Sequence, residues 1–196
     1  MQSNATLSLR KILALDSFRQ FGTFTKHFFH LPIQFRYLRA LRKTHFARNK
    51  LSFLFWHLVL HHLSVATGNE IPYETAIGYG FLLSHAGPVY MNSKVVIGCN
   101  CQMCQGVTIG QINGGAKDGN PIIGNNCWLG PFAIVVGKVS IGDGVLIAGG
   151  AYVDFDVPAH SIVIGNPGKI IPNHDYSSRY LMNAISDETF RSFIAR

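Results

Sequence analysis

An aliphatic side chain returns at every sixth position through much of this chain. Ile97, Met103 and Ile109 open the series, and after one gap it continues through Ile123, Leu129, Val135, Ile141, Ile147 and Val153. All nine positions are apolar in a chain that is 47% hydrophobic, which chance gives about once in a thousand for a fixed register. The residue after the stripe is often glycine, at Gly98, Gly110, Gly124, Gly130 and Gly142, with Ala148 also small. Two residues before it stand Val95, Cys101, Val107, Cys127, Ala133, Val139, Val145 and Ala151, all small or β-branched; Pro121 is the exception.

A six-residue period of this kind specifies a parallel β-helix of hexapeptide repeats. Each six residues make one short strand and one corner, and three make a triangular coil. Coils stack at about the 4.8 Å strand spacing, so equivalent residues form ladders. One coil cannot bury its own inward face, so several must stack. The fold class is therefore mainly β, with the solenoid expected over 69–171. The period breaks once, between Ile109 and Ile123, where the polar, glycine-rich "QINGGAKDGN" intervenes. That insert should leave the coil as a loop, and long loops on rigid scaffolds often carry function.

The first 68 residues read differently. Positions 1–50 hold ten Lys and Arg against one acid, Asp16, while the remainder has seven bases and nine acids. "FRYLRALRK" puts Phe35, Leu38 and Leu41 on one helical stripe, after a break at Pro32. "KLSFLFWHLVLHHL" is apolar over most of its surface and is expected to be buried. The simplest expectation is a basic helical region, 1–68, packed on the body or on another subunit. The alternative is a basic, aromatic surface for anionic lipid or an acidic glycan carrier, at the inner face of a membrane. No nucleic-acid motif accompanies the basic residues, so nucleic acid is not expected as a partner. A tail, 172–196, should be partly helical through "DETFRSFIAR".

No apolar run reaches the roughly 20 residues a spanning helix needs, and the N-terminus makes a poor signal peptide because charges interrupt its apolar part. A cytoplasmic protein is expected. Of the four cysteines, Cys99, Cys101 and Cys104 form a C-x-C-x-x-C run with no fourth ligand paired with it and no second C-x-x-C, and Cys127 stands apart. They read as reduced core thiols, and no metal is expected.

One histidine, His85, lies in "FLLSHAGPVYMN" beside an Ala-Gly-Pro turn. Taken alone, such a histidine is more often structural than catalytic. However, "SHAGPVYMN…VVIGCNCQMCQGVTIG", followed by "NPIIGNNCWLGPFAIVVGKVSIGDGVLIAGGAYVDFDVPAHSIVIGNPGKII", resembles the hexapeptide-repeat acyltransferases. More narrowly it is similar to the serine O-acetyltransferase group and its relatives in capsule and lipopolysaccharide biosynthesis. The resemblance implies an acetyl-CoA-dependent O-acetyltransferase on a left-handed β-helix, usually a homotrimer. It makes His85 the general base and Glu70, fifteen positions earlier, the acid that orients it. It assigns Gly110, Pro131, Gly149 and Lys169 to acetyl-CoA. The chain departs from the serine enzymes where it has Ser84 in place of Asp, and Asp118-Gly119-Asn120-Pro121 in place of Asp-Arg-His-Pro. The resemblance assigns the missing Arg and His to holding the amino acid. Ser84, Asn92 and Asn120 are neutral hydrogen-bonding groups and would suit a sugar hydroxyl. A surface-polysaccharide sugar is therefore the expected acceptor, with free serine or a non-catalytic scaffold as alternatives. A carbonic-anhydrase-like β-helix needs three metal histidines, and His85 stands alone between Asn69 and Pro121.

Overall fold

The computed structural model describes residues 7–24, 31–172 and 177–195. Three helices come first: α1 (Leu9–Phe21), α2 (Ile33–His45) and α3 (Lys50–Thr67). Ser8 caps α1 and Asn49 caps α3, each side chain accepting a backbone N–H of the first turn, and glycines in the left-handed conformation, Gly22 and Gly68, end both helices.

The chain then winds through four coils of three strands. The first holds β1 (Ala76–Ile77), β2 (Leu82–Leu83) and β3 (Tyr90–Met91). The second holds β4 (Val96–Ile97), β5 (Gln102–Met103) and β6 (Thr108–Gly110). The third holds β7 (Ile122–Ile123), β8 (Trp128–Leu129) and β9 (Ile134–Val136). The fourth holds β10 (Ser140–Ile141), β11 (Leu146–Ile147) and β12 (Tyr152–Val153). An antiparallel pair, β13 (Ser161–Ile164) and β14 (Lys169–Pro172), closes the stack, and α4 (Asp187–Ile194) ends the described chain.

Three sheets result, and apart from that closing pair they are parallel: β1-β4-β7-β10, then β2-β5-β8-β11-β13-β14, and β3-β6-β9-β12. This is the β-helix that the period specified, with the left hand that the resemblance implied. Its inward ladders are Ile77-Ile97-Ile123-Ile141, Leu83-Met103-Leu129-Ile147-Val163 and Met91-Ile109-Val135-Val153, all buried. The glycines after the stripe stand where neighbouring coils nearly touch. A Cβ on Gly98 would lie 2.4 Å from the Gly124 carbonyl oxygen, and one on Gly78 would lie 2.5 Å from that of Gly98.

The stripe begins earlier than the series from Ile97 indicates. Ile71, Ile77, Leu83 and Met91 extend it backwards, with eight residues rather than six between Leu83 and Met91. The two extra residues fall in the turn that carries His85.

Charged groups hold the helices on the first coil. Buried Arg42 donates from Nε to Asp16 at 2.9 Å and from both terminal nitrogens to the carbonyls of Ile77 and Gly78 at 2.6 Å. Burial pushes the Asp16 carboxyl upward, against the pull of Arg42. Arg19 donates to Gly80, Met182 and Gln102, and burial lowers it to about 10, still charged at neutral pH. Tyr37, Leu38 and Leu41 of α2, with Leu60 and Leu63 of α3, join the core that fills the β-helix.

The expectation that α3 is buried is overturned. Of its 18 residues only Leu60 and Leu63 are buried. Leu51, Leu54, Phe55, Leu58 and Val65 are exposed. The helix packs one side on α2 and leaves an equally apolar side uncovered.

Candidate functional site

His85 sits on the lengthened turn between β2 and β3, with its side chain exposed. Two residues from outside the turn fix its backbone. Gln34, in the first turn of α2, donates both hydrogens of Nε2, to the carbonyl oxygens of His85 and Gly87, each at 2.9 Å. Asn69 donates from Nδ2 to Gln34 Oε1 at 2.6 Å and accepts the Val89 N–H on Oδ1 at 2.9 Å. Gln34 and Asn69 are 4% and 0% exposed, so water does not compete for these bonds. Nothing in the local sequence pattern marks either residue.

Below His85 the same corner repeats on each coil. Gln105-Gly106 occupies the next rung, then Pro131-Phe132, then Gly149-Gly150, and the Gly165–Gly168 turn ends the edge just before Lys169. Backbone bonds tie the rungs: Gly106 N–H to Pro88 O, Phe132 N–H to Gln105 O, Gly150 N–H to Pro131 O. At the sheet spacing of about 4.8 Å, four rungs separate His85 from the Gly165 turn by about 19 Å. Side chains are absent at Gly149 and Gly150, and the edge is open there.

Phe132 on this edge escaped the sequence reading. Its φ is +59°, a left-handed conformation that costs a bulky residue about 1–2 kcal/mol. The ring is 63% exposed and lies over Gly106, where an added Cβ would meet Phe132 Cδ1 at 2.3 Å. The same left-handed corner recurs on this edge at Gly106 and Gly150, so the coil imposes the conformation, and the exposed ring is what sets Phe132 apart. Gln105 Oε1, beside it, is buried without a hydrogen-bond partner among the described residues.

The other sequence-identified residues divide into two groups. His85, Pro131, Gly149 and Lys169 share the edge just described. Glu70 starts the third sheet, one rung above Tyr90. Its N–H donates to Val89 O and its carbonyl accepts from Met91 N–H, and its carboxylate side chain is exposed. Ser84 precedes His85 and lies against the Cys104 thiol, which burial raises and the Ser84 hydroxyl opposes.

Asn92, Gly110 and Asn120 lie at the opposite edge of the third sheet, where the ten-residue insert leaves the coil, so one chain does not bring them to His85. Asn92 accepts the Lys94 N–H at 3.0 Å in a local turn. Gly110 accepts the Gly137 N–H. Asn120 Oδ1 is buried without a partner among the described residues. The insert forms a small hairpin bridged at Ile112 and Gly119, and Lys117 at its tip pairs with Asp154 at 2.6 Å. Among the described residues no group of three or more His, Cys, Asp or Glu could hold a metal ion.

Comparison with known proteins is consistent with this geometry. Residues 120–154 match the family described as bacterial transferase hexapeptide (six repeats). The β-helix is a hexapeptide-repeat domain similar to that of the serine acetyltransferases. Serine acetyltransferase 2 of Arabidopsis thaliana is 36% identical over 134 residues, covering 68% of this chain and 42% of the relative. Serine acetyltransferase of Synechococcus elongatus is 35% identical over 114 residues, covering 58% of this chain and 47% of the relative. This chain thus spans less than half the length of either. Among solved structures, the serine acetyltransferase of Neisseria gonorrhoeae in complex with serine superposes with a TM-score of 0.69 at 24% identity, over 83% of this chain and 69% of that one. A serine acetyltransferase in complex with CoA gives 0.67 at 21% identity, over 83% of this chain and 68% of that one.

Proposed function

We propose that this protein is an acetyl-CoA-dependent O-acetyltransferase with His85 as its general base. The observation that carries the proposal is the single edge holding an exposed histidine on a braced turn, a run of small corner residues below it, and a lysine at the far end. A long, thin thioester can lie along such an edge, with Lys169 toward its phosphates and its acetyl group toward His85.

The chemistry follows from the groups present. Imidazole is the side chain that both takes and returns a proton near neutral pH. His85 takes the proton of the acceptor hydroxyl as its oxygen attacks the thioester carbonyl carbon. The tetrahedral intermediate collapses, the C–S bond breaks, and the imidazolium returns its proton to the leaving sulfur. Glu70, on the rung beside Tyr90, is the carboxylate proposed to hold the second ring nitrogen and stabilise the imidazolium. The insert hairpin lies across the third sheet from His85. A threefold assembly, in which a neighbouring copy supplies that hairpin, would complete the acceptor pocket with Asn92 and Asn120.

The relatives are serine acetyltransferases, so serine replaces the sugar hydroxyl as the first acceptor to propose. One observation keeps a neutral hydroxyl acceptor as a second reading. The loop has Gly119 and Asn120 where a cation would hold the serine carboxylate, and Lys117 is engaged by Asp154.

The test is thiol release from acetyl-CoA by wild type, His85→Ala and Glu70→Gln, with L-serine, free sugars or nucleotide sugars. Release that needs one acceptor and disappears in folded His85→Ala supports the reading and identifies the acceptor class. Release that survives His85→Ala removes His85 as base. Absence of both release and acetyl-CoA binding would leave a non-catalytic scaffold.

A further inference from the structure

The uncovered side of α3 is an apolar stripe interrupted between Leu58 and Val65 by the exposed His62. Leu51, Leu54, Phe55, Leu58 and Val65 follow the i, i+3, i+4, i+7, i+14 spacing of one helical face, and they are 82%, 55%, 58%, 59% and 75% exposed. Isolated exposed leucines are ordinary, but four large apolar side chains side by side, from Leu51 to Leu58, mark a surface that something covers.

Charge indicates what covers it. From Ser17 to Asn69 the chain has no Asp or Glu. Arg36, Arg39 and Lys43 of α2 stand over a groove of about 490 Å³ between α2 and α3, floored by Trp56 and Val59 and shared with Phe55 and Leu58 of the stripe. Lys43 Nζ lies 3.7 Å from the centre of the Trp56 ring. Burial and the neighbouring Arg39 both lower Lys43, so an anion at this rim would relieve unbalanced positive charge. Arg48 and Lys50 add cations at the start of α3.

We propose that the α3 stripe and its basic rim form a docking surface for an anionic lipid bilayer. The helix would lie in the interface plane, with the stripe among the upper acyl chains and Arg36, Arg39 and Lys43 against lipid phosphates. Among the described residues no helix is long and apolar enough to cross a membrane, so the contact is peripheral. A second copy laid stripe to stripe fits less well, because it would bring two cationic rims together with no acid in either. Gly68, which closes α3, packs against Pro88 of the His85 turn. Docking would therefore hold that turn near the lipid surface. The proposal is independent of the acetyl-transfer reading.

The experiment is co-sedimentation of the full chain with two kinds of vesicle, pure phosphatidylcholine and equal parts phosphatidylcholine and phosphatidylglycerol, alongside sedimentation velocity without lipid. Three proteins are compared: wild type, Leu51→Ser/Leu54→Ser/Leu58→Ser, and Arg36→Gln/Arg39→Gln. These positions lie on the surface, and circular dichroism checks that each variant folds. Wild type should bind the anionic vesicles about tenfold or more tightly than the neutral ones and lose that binding at high salt. Each variant should lose about tenfold or more with its oligomeric state unchanged. Equal binding to both vesicles, or binding to neither, overturns the proposal. A stripe variant that changes oligomeric state also overturns it, and assigns the stripe to a subunit contact.

Discussion

Gln34 has one side-chain amide and uses all of it. Both Nε2 hydrogens hold the His85 turn and Oε1 accepts from Asn69. Gln34→Leu leaves two turn carbonyls and the Asn69 amide without partners in a buried site. Stability should fall by about 1–3 kcal/mol. If the turn positions a base, kcat should fall by about tenfold or more while KM for acetyl-CoA holds, because small displacements of a reacting group are costly. Parallel denaturant titration and steady-state kinetics check both. An unchanged kcat in the destabilised variant would make the brace purely structural. Phe132 allows the complementary test. Asparagine tolerates the left-handed region better than phenylalanine, so Phe132→Asn should unfold within a few degrees of wild type. KM for acetyl-CoA should rise severalfold through loss of the exposed ring, and kcat should be spared. A KM that does not move would remove Phe132 from the acetyl-CoA edge.

At the level of the coil, the glycine column is where close approach rather than dihedral freedom decides the residue. Gly98→Ala drives a Cβ to 2.4 Å from a backbone oxygen that the next coil fixes. It should cost about 1–3 kcal/mol or more, read as a lower urea midpoint at constant slope. Cys101 and Cys127 lie in the core of the coil, and Cys99 is buried in a second cluster with Leu15, Tyr79 and Ile185. Burial pushes Cys99 up to about 11, while a hydrogen bond with Cys101, and burial, raise Cys127. A thiol raised in this way stays protonated at pH 8, and only the thiolate alkylates. Native protein should therefore resist iodoacetamide at Cys99 and Cys127, and unfolded protein should react at both; mass spectrometry after timed quenching reads each site. Rapid native alkylation at either would contradict its burial. The coil was legible from the sequence because every inward position is apolar on a strict count. The first coil was less legible, because the lengthened His85 turn breaks the count between Leu83 and Met91. The α3 face was misread because hydrophobicity states that a surface needs cover without stating what provides it.

Over the whole molecule, contacts distant in sequence decide the packing, and these leave no local pattern to read. Asp16 meets Arg42, and Asn183 donates to the Arg19 carbonyl at 3.1 Å. Phe24 stacks on Phe193 at 4.5 Å, and Tyr79 on Phe190 at 4.7 Å. Helices, solenoid and tail are thereby joined, although composition alone separates a basic helical part from a slightly acidic β part. Two tryptophans let this union be measured. Trp56 belongs to α3 and Trp128 to β8, so Trp56→Phe and Trp128→Phe each leave one reporter in one region. A shared core predicts coincident unfolding midpoints for the two reporters, matching far-ultraviolet circular dichroism. Asp16→Ala should then lower both midpoints together, because it leaves the Arg42 guanidinium buried without its carboxylate, at about 3–5 kcal/mol. Separation of the Trp56 and Trp128 transitions in wild type would show that the helices fold apart from the coil. In that case the Asp16–Arg42 pair stabilises the helical unit, and its bonds to Ile77, Gly78 and Phe81 are what join that unit to the coil.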